Sequence, residues 1–257
     1  MPLRSLRITV LIALLSIAGA ACTDADNAGE EGDGDTAVSL SIGDTPDSVE
    51  GNVVSLPVDI EGIEIVPPDG DDSGDSGHFH VFIDREPVEV GEVVAREAGI
   101  VHSAENPIKL YGLSPGSHEF TVVLGDGTHT RIEEDVEDSV TVDVEGPSVD
   151  ATAPATIGSG DDLTVSLDAE GVEIIAADGD TSGDSGHFHV LVDPEDPPEA
   201  GGTIPAAEEG TIYHTTNPEL TIEGLDDGDH VIWVVLGDGT HEAFDPAVMD
   251  RLMVTVG

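Results

Sequence analysis

From about position 37 onward the chain is a series of short apolar runs, each closed by Gly, Pro, Asp or Ser. In the first half they read VSLSI, NVVSLPVDI, HFHVFID, KLYGL, HEFTVVLG and SVTVDV. In the second half they read DLTVSLDAEGVEII, HFHVLVD, ELTIEGL, HVIWVVLG and RLMVTV. The runs are rich in Val and Ile, many alternate with polar residues, and none keeps a helical period over three turns, so they predict strands. Six or seven short strands in roughly 100 residues predict an antiparallel β-sandwich of the immunoglobulin-like architecture. The Cys–Trp–Cys arrangement of antibody domains is absent, since the chain has one cysteine.

The runs are one unit written twice. DGDDSGDSGHFHVFID (Asp69 to Asp84) returns as DGDTSGDSGHFHVLVD (Asp178 to Asp193), and VVLGDGTH at Val122 to His129 returns at Val234 to His241. Between them, IVHSAENP (from Ile100) answers IYHTTNP (from Ile212). A period of roughly 110 residues is too long for a solenoid unit and suits two complete domains. The predicted fold is all-β, with two tandem immunoglobulin-like antiparallel β-sandwich domains at 37–146 and 148–257. Gly125-Asp126-Gly127 and Gly237-Asp238-Gly239 directly follow strands and read as tight turns.

The first 21 residues carry Arg4 and Arg7, an apolar run from Ile8 to Ala18, and then small residues. That is the pattern of a signal peptide, too short for a typical membrane span. Cys22 follows Gly19-Ala20-Ala21 as the cysteine of a bacterial lipobox does, although Gly19 stands where Leu is usual. Lipidation of Cys22 is therefore expected, with plain signal cleavage as the alternative. Residues 22–36 are acidic and Gly-rich and read as a disordered tether. The expected location is outside the cytoplasm, as a cell membrane-anchored lipoprotein or an extracellular or periplasmic protein. No other cysteine exists, so no disulfide holds the domains.

Charge narrows the partners. There are 55 acids against 7 bases, a formal net charge of −48, with a mean hydropathy of −0.02 and 38% hydrophobic residues. The apolar share is enough for a core. Phosphate backbones and anionic membrane surfaces need clustered Lys and Arg, so nucleic acid is excluded and a membrane is reached only through the lipid anchor. Such acidity reads as halophilic, and salt is expected to stabilise the fold by screening self-repulsion. No serine elbow, catalytic cysteine or phosphate loop is present, and the chain is not expected to be an enzyme.

All ten histidines fall at five matching places. His78, His80, His102, His118 and His129 answer His187, His189, His214, His230 and His241. The two histidines of HFH project from one strand face, where they could share a divalent ion. His118, His129 and His102 are candidates for the remaining ligands. Such a site would offer nitrogen and oxygen donors only, suited to Zn²⁺ or Cu²⁺. Strand parity raises a difficulty. His78 and His80 lie opposite Phe79, Val81 and Ile83, whereas His118 shares a face with Phe120, Val122 and Leu124. The alternative is that these histidines are structural, hydrogen-bonded at strand edges, in a non-catalytic surface binding or adhesion module with an unknown protein or glycan partner. HFHVFID also resembles the His-x-His strand of copper–zinc superoxide dismutase, but that family's disulfide pair and bridging histidine are not seen.

Asp69, Asp71, Ser73 and Asp75, repeated as Asp178, Asp180, Ser182 and Asp184, match the opening of a calcium loop. The closing Glu and the flanking helices of an EF-hand are missing, and solvated Asp-Gly turns are the simpler reading.

The ordered blocks Gly-His-x-His-x-x-x-Asp, a mid-domain His before Asn-Pro, Gly-x-His and Leu-Gly-Asp-x-x-His resemble a family of secreted bacterial domains of unknown function. That family carries GHxHLxID-type and LGDxxH-type blocks. The resemblance covers Glu64 to Val144 and Glu173 to Val256, with Val81 and Val190 where the family usually has Leu. It implies an exported β-rich domain and supplies no activity.

Overall fold

The computed structural model describes residues 37–132 and 136–257. The expected signal peptide, Cys22 and the tether lie outside these residues. Repeat 1 contains β1 (Ser39–Ile42), β2 (Ser48–Glu50), β3 (Val54–Leu56), β4 (Val58–Glu61), β5 (Glu64–Ile65), β6 (Ser76–Ile83), β7 (Ile100–Ser103), β8 (Ile108–Leu110), β9 (Gly116–Gly125) and β10 (Glu137–Glu145). Repeat 2 contains β11 (Ser148–Thr152), β12 (Thr156–Ile157), β13 (Leu163–Glu170), β14 (Glu173–Ile174), β15 (Ser185–Val192), β16 (Ile212–Thr215), β17 (Glu219–Ile222), β18 (Gly228–Gly237) and β19 (Met249–Val256). The described residues contain no helix.

Each repeat is a sandwich of a large and a small sheet. The large sheets run β2-β10-β9-β6-β5, with β7 also on β6, and β12-β19-β18-β15-β14, with β16 also on β15. The small sheet of repeat 2 is β11-β13-β17. Its counterpart in repeat 1 consists of the pairs β1-β4 and β3-β8. Pro57 separates β3 from β4 because it has no N–H to give to a ladder. It still accepts a bond from Gly43 through its carbonyl, at 2.7 Å. The run DLTVSLDAEGVEII is likewise broken at Gly171, whose φ of 74° no strand residue adopts.

Alternation builds the core. Phe79 and Val81 of β6, Phe120, Val122 and Leu124 of β9, and Val142 and Val144 of β10 face Val54, Leu56, Ile108 and Leu110 of the small sheet. Repeat 2 matches this with Phe188, Val190, Ile232, Val234 and Leu236 against Leu163, Val165, Leu167 and Ile222. The outer faces of the large sheets are covered as well. Phe82 and Val123 meet Val94 of the β6–β7 loop, and Leu191, Trp233 and Val235 meet Ile204, Ala243 and Met249. Consequently β15 is buried at all eight positions, on both faces.

The repeats are joined by buried polar contacts. Asn52, fully buried, donates through Nδ2 to the Val149 carbonyl at 2.9 Å and accepts from the Met249 amide at 2.8 Å. Tyr111 meets Trp233 edge to face, 4.8 Å between centroids. Asp250 accepts from the amides of Ala151 and Arg251 at 2.8 and 2.6 Å, and its carboxylate lies against Gly112 so closely that a side chain there would collide with it.

Burial pushes Asp250 from 3.8 up to about 6. The native state then holds a proton that the unfolded chain has released, so this group's contribution to stability is greatest below about pH 4 and is lost as pH rises through about 6. Relative to Asp250→Asn, the wild type is expected to lose about 3 kcal/mol of unfolding free energy between about pH 4 and pH 7. Denaturant titrations of both proteins across that range check this, and a constant difference contradicts it.

Candidate metal centre

The same alternation that sends Phe79 and Val81 inward sends His78 and His80 to the outer face of β6. Antiparallel pairing sets His102 of β7 directly opposite His80, and Val123 and Gly125 of β9 opposite His80 and His78. The fourth ring arrives from the turn after β9. Asp126 Oδ1 accepts from Thr128 N, Thr128 Oγ1 and Thr130 N at 2.8, 2.7 and 2.9 Å. His129 donates its amide to the Asp126 carbonyl at 3.0 Å and takes a left-handed φ of 66°, which turns its side chain back over the sheet. Asp238 and His241 repeat this turn, with the same φ of 66°.

The result is two tetrads, His78, His80, His102 and His129 in repeat 1 and His187, His189, His214 and His241 in repeat 2. One ring nitrogen from each member lies within 4.8 Å of those of its three companions. These groups could hold a metal ion. In repeat 1 three nitrogens converge on His129 Nδ1, with His78 Nε2 at 3.1 Å, His80 Nε2 at 3.4 Å and His102 Nδ1 at 2.9 Å. A tetrahedral ion with metal–nitrogen bonds of about 2.0–2.1 Å spaces its ligands about 3.3 Å apart.

The surroundings suit neutral, lone-pair donors. His102 Nε2 donates to the Ala95 carbonyl at 3.2 Å and His214 Nε2 to that of Pro205 at 3.0 Å, which leaves both Nδ1 atoms as lone pairs aimed inward. Burial, and then the neighbouring imidazoles, hold His78 down to about 4 and His80 to about 2; burial holds His102 to about 4. His189 is held at about 3 for the same reasons. Burial also lowers His129, His187 and His214. These seven rings are thus held toward the unprotonated state, the one in which imidazole ligates. His189 is fully buried with the Val235 backbone beside its ring, and at least one of its ring nitrogens finds no hydrogen-bond partner among the described residues. An ion among the tetrad would supply a partner for the inward nitrogen.

Of the histidines expected as ligands, His118 and His230 lie elsewhere. They occupy the core-facing parity of β9 and β18. His118 pairs through Nδ1 with Asp84 at 2.6 Å and through Nε2 with the Ser114 carbonyl at 2.7 Å. His230 does the same with Asp193 and Asp226, at 2.6 and 2.8 Å, and the Asp226 carbonyl and Asp193 carboxylate raise its proton affinity. These two histidines clamp the end of one long strand to the start of the next.

Among the described residues, the carboxylates of the acidic loops are not in a group of converging ligand atoms. Asp71 N and Ser73 N donate to the carboxylates of Asp69 and Asp71, and Asp75 N to Ser73 Oγ, all exposed. Asp178, Asp180, Ser182 and Asp184 repeat the pattern. The oxygens are used on their own backbone. The loops instead brace the ligand turns, since Gly70 donates to the Gly127 carbonyl and Gly179 to that of Gly239, both at 3.0 Å.

Two kinds of site residue were not foreseen. Asp126 and Asp238 organise the turns that aim His129 and His241. Gly125 and Gly237 leave room for the imidazoles, because a Cβ on either would run into the ring of His80 or His189. The intact repetition of LGDGTH was the available signal for both.

The family is decided by matching blocks at residues 56–145 and 165–257, which fit the pattern of DUF4399, a domain of unknown function. The chain belongs to the DUF4399 family. It carries two DUF4399 units, and each contains one complete histidine tetrad. No curated protein matches the chain. Among solved structures it is similar to the tetra-tandem repeat in the extending region of a large adhesion protein, with 13% identity, 85% of this chain and 48% of that one covered, and a TM-score of 0.23. It is also similar to a Salmonella alpha-2-macroglobulin, with 11% identity, 88% and 16% covered, and a TM-score of 0.30. The chain spans less than half of either.

Gly125→Ala tests the tetrad without altering a ligand. It is expected to leave the sandwich folded, at a cost of about 1–3 kcal/mol, and to weaken metal uptake by repeat 1 at least about tenfold. Metal content after dialysis against a fixed free-metal buffer reads this out. Undiminished uptake contradicts the role given to Gly125.

Proposed function

We propose that this DUF4399 protein is an exported, lipid-anchored cell-envelope protein that binds one Zn²⁺ or Cu²⁺ ion in each repeat. The observation that carries this reading is the facing of four imidazole ring nitrogens within 4.8 Å of one another, twice among the described residues. Lone pairs set against one another in a desolvated place repel unless a cation lies between them. The donor set has no thiolate and no carboxylate, so it favours borderline divalent transition metals over Cu⁺ on one side and over Ca²⁺ or Mg²⁺ on the other. His78 and His80, or His187 and His189, form the buried floor. His102 and His129, or His214 and His241, close the site from its half-buried side.

The protein is proposed as a binder rather than a catalyst, with no nucleic-acid partner. Export and anchoring rest on the apolar run from Ile8 to Ala18 and on Cys22 directly after it. The adhesion alternative treats the histidines as structural, and the convergence of four rings on one point in each repeat counts against it.

Titration of the metal-free full chain with Zn²⁺ and with Cu²⁺ is expected to give two ions per molecule and a higher melting temperature. His78→Ala with His80→Ala is expected to leave one ion, and adding His187→Ala with His189→Ala to leave none. A folded chain whose melting temperature ignores both metals, with no stoichiometric uptake, overturns the reading.

A further inference from the structure

The two tetrads share their ligands but differ in what stands behind them. In repeat 2, β19 begins at Met249, and both peptide groups of that residue are held by repeat 1. The Met249 amide donates to Asn52 Oδ1 at 2.8 Å, and its carbonyl accepts from the Gly112 amide at 3.1 Å. Met249 lies opposite Val235 of β18, Val235 opposite His189 of β15, and His189 opposite His214 of β16. One row of residues therefore leads from repeat 1 across the sheet to two members of the tetrad. A third member, His241, stands on the segment that joins β18 to Met249. That segment is fixed by the Asp238 turn at one end and by repeat 1 at the other. Side chains follow the same path. Val53 and Tyr111 of repeat 1 pack on the apolar cluster that includes Ile204, Trp233, Val235 and Met249, and Ile204 donates its amide to the His241 carbonyl at 2.8 Å.

Repeat 1 has the same row with a different end. Glu137 stands where Met249 does, opposite Val123, which lies opposite His80 and so leads on to His102. Glu137 is exposed and pairs with Arg131 of its own repeat. Asp138 accepts from the Ile42 amide at 2.8 Å, as Asp250 does from the Ala151 amide at 2.8 Å. Yet Asp138 is half-buried, whereas Asp250 is buried with Gly112 of repeat 1 against its carboxylate. The apolar cluster beside this tetrad, Phe82, Val94 and Val123 with Val88 and Ile100, is drawn from repeat 1 alone.

A metal site binds well only when its ligands are held close to the bound geometry by the residues behind them. We propose that repeat 1 is a positioning part of the metal site in repeat 2. Its Asn52, Tyr111 and Gly112 hold the start of β19 and so set the affinity of the tetrad His187, His189, His214 and His241, while the tetrad of repeat 1 is independent of that contact. This rests on the metal reading above and gives its two sites different dependences. Coupling of this kind is reciprocal, so an ion in repeat 2 tightens the contact between the repeats by the same factor.

The test uses the full chain with Zn²⁺ as the probe. One tetrad is silenced at a time through its half-buried members, which spares the sandwiches. Repeat 2 is measured with His102→Ala and His129→Ala in place, and repeat 1 with His214→Ala and His241→Ala. Asn52→Ala and, separately, Gly112→Ala are expected to weaken Zn²⁺ binding at repeat 2 about tenfold or more and to leave repeat 1 within about twofold. A second measurement leaves the contact between the repeats unaltered. Trp233 is the chain's single tryptophan and lies against Tyr111. Zn²⁺ in repeat 2 is expected to lower the quenching of Trp233 fluorescence by acrylamide, and Zn²⁺ in repeat 1 to leave it unchanged. Binding at repeat 2 that is unchanged in both variants, or weakened equally at both repeats, overturns the coupling and leaves the metal reading standing. Quenching that is indifferent to the ion in repeat 2 does the same, and it decides alone where neither variant folds. Failure to bind Zn²⁺ at either repeat overturns both.

Discussion

Burial of the long central strands on both faces is the constraint on which the rest of the structure depends. β15 has no exposed position, and β6 is buried at all but its two ends. A strand in that position normally carries apolar residues throughout. Here one face carries Phe79 and Val81, and the other carries His78 and His80 before it becomes apolar again at Phe82. Two imidazoles are thereby forced into a dry layer. That layer is closed by His102 from the neighbouring strand and by His129 from a turn that Asp126 holds in shape. Each ring could be satisfied by water if it were exposed. Enclosed together, the four rings form a group that could hold a cation.

Much of this was legible in the sequence. The strands with strong alternation, such as HEFTVVLG and HFHVFID, stand where the period places them, and the all-β class follows from them. The repetition of DUF4399 blocks marked the histidines and the LGDGTH turn. Parity also carried the right warning about His118, whose register with Phe120, Val122 and Leu124 turns it toward Asp84 and Ser114 rather than toward the tetrad.

What was not legible depends on contacts between distant segments. IVHS is short and weakly alternating, yet it forms β7 because β6 offers it an edge, and only that pairing puts His102 across from His80. The need for glycine at position 125 comes from an imidazole on the adjacent strand, which no local pattern reports. The acidic loop looked like a calcium ligand set because Asp-x-Asp-x-Ser is common to ion loops and to chains of Asx turns. In the structure the loop makes Asx turns and packs on Gly127. Asn52 opens the run NVVSLPVDI, and nothing in that run signals that it is fully buried and bonds to both ends of the other repeat.

The central claim concerns which atoms surround the bound ion. X-ray absorption at the zinc edge, on the full chain carrying two equivalents of Zn²⁺, measures this most directly. The account predicts about four nitrogen neighbours near 2.0–2.1 Å with the outer-shell scattering of imidazole rings and no sulfur. A first shell made of carboxylate and water oxygens, without imidazole scattering, would contradict it.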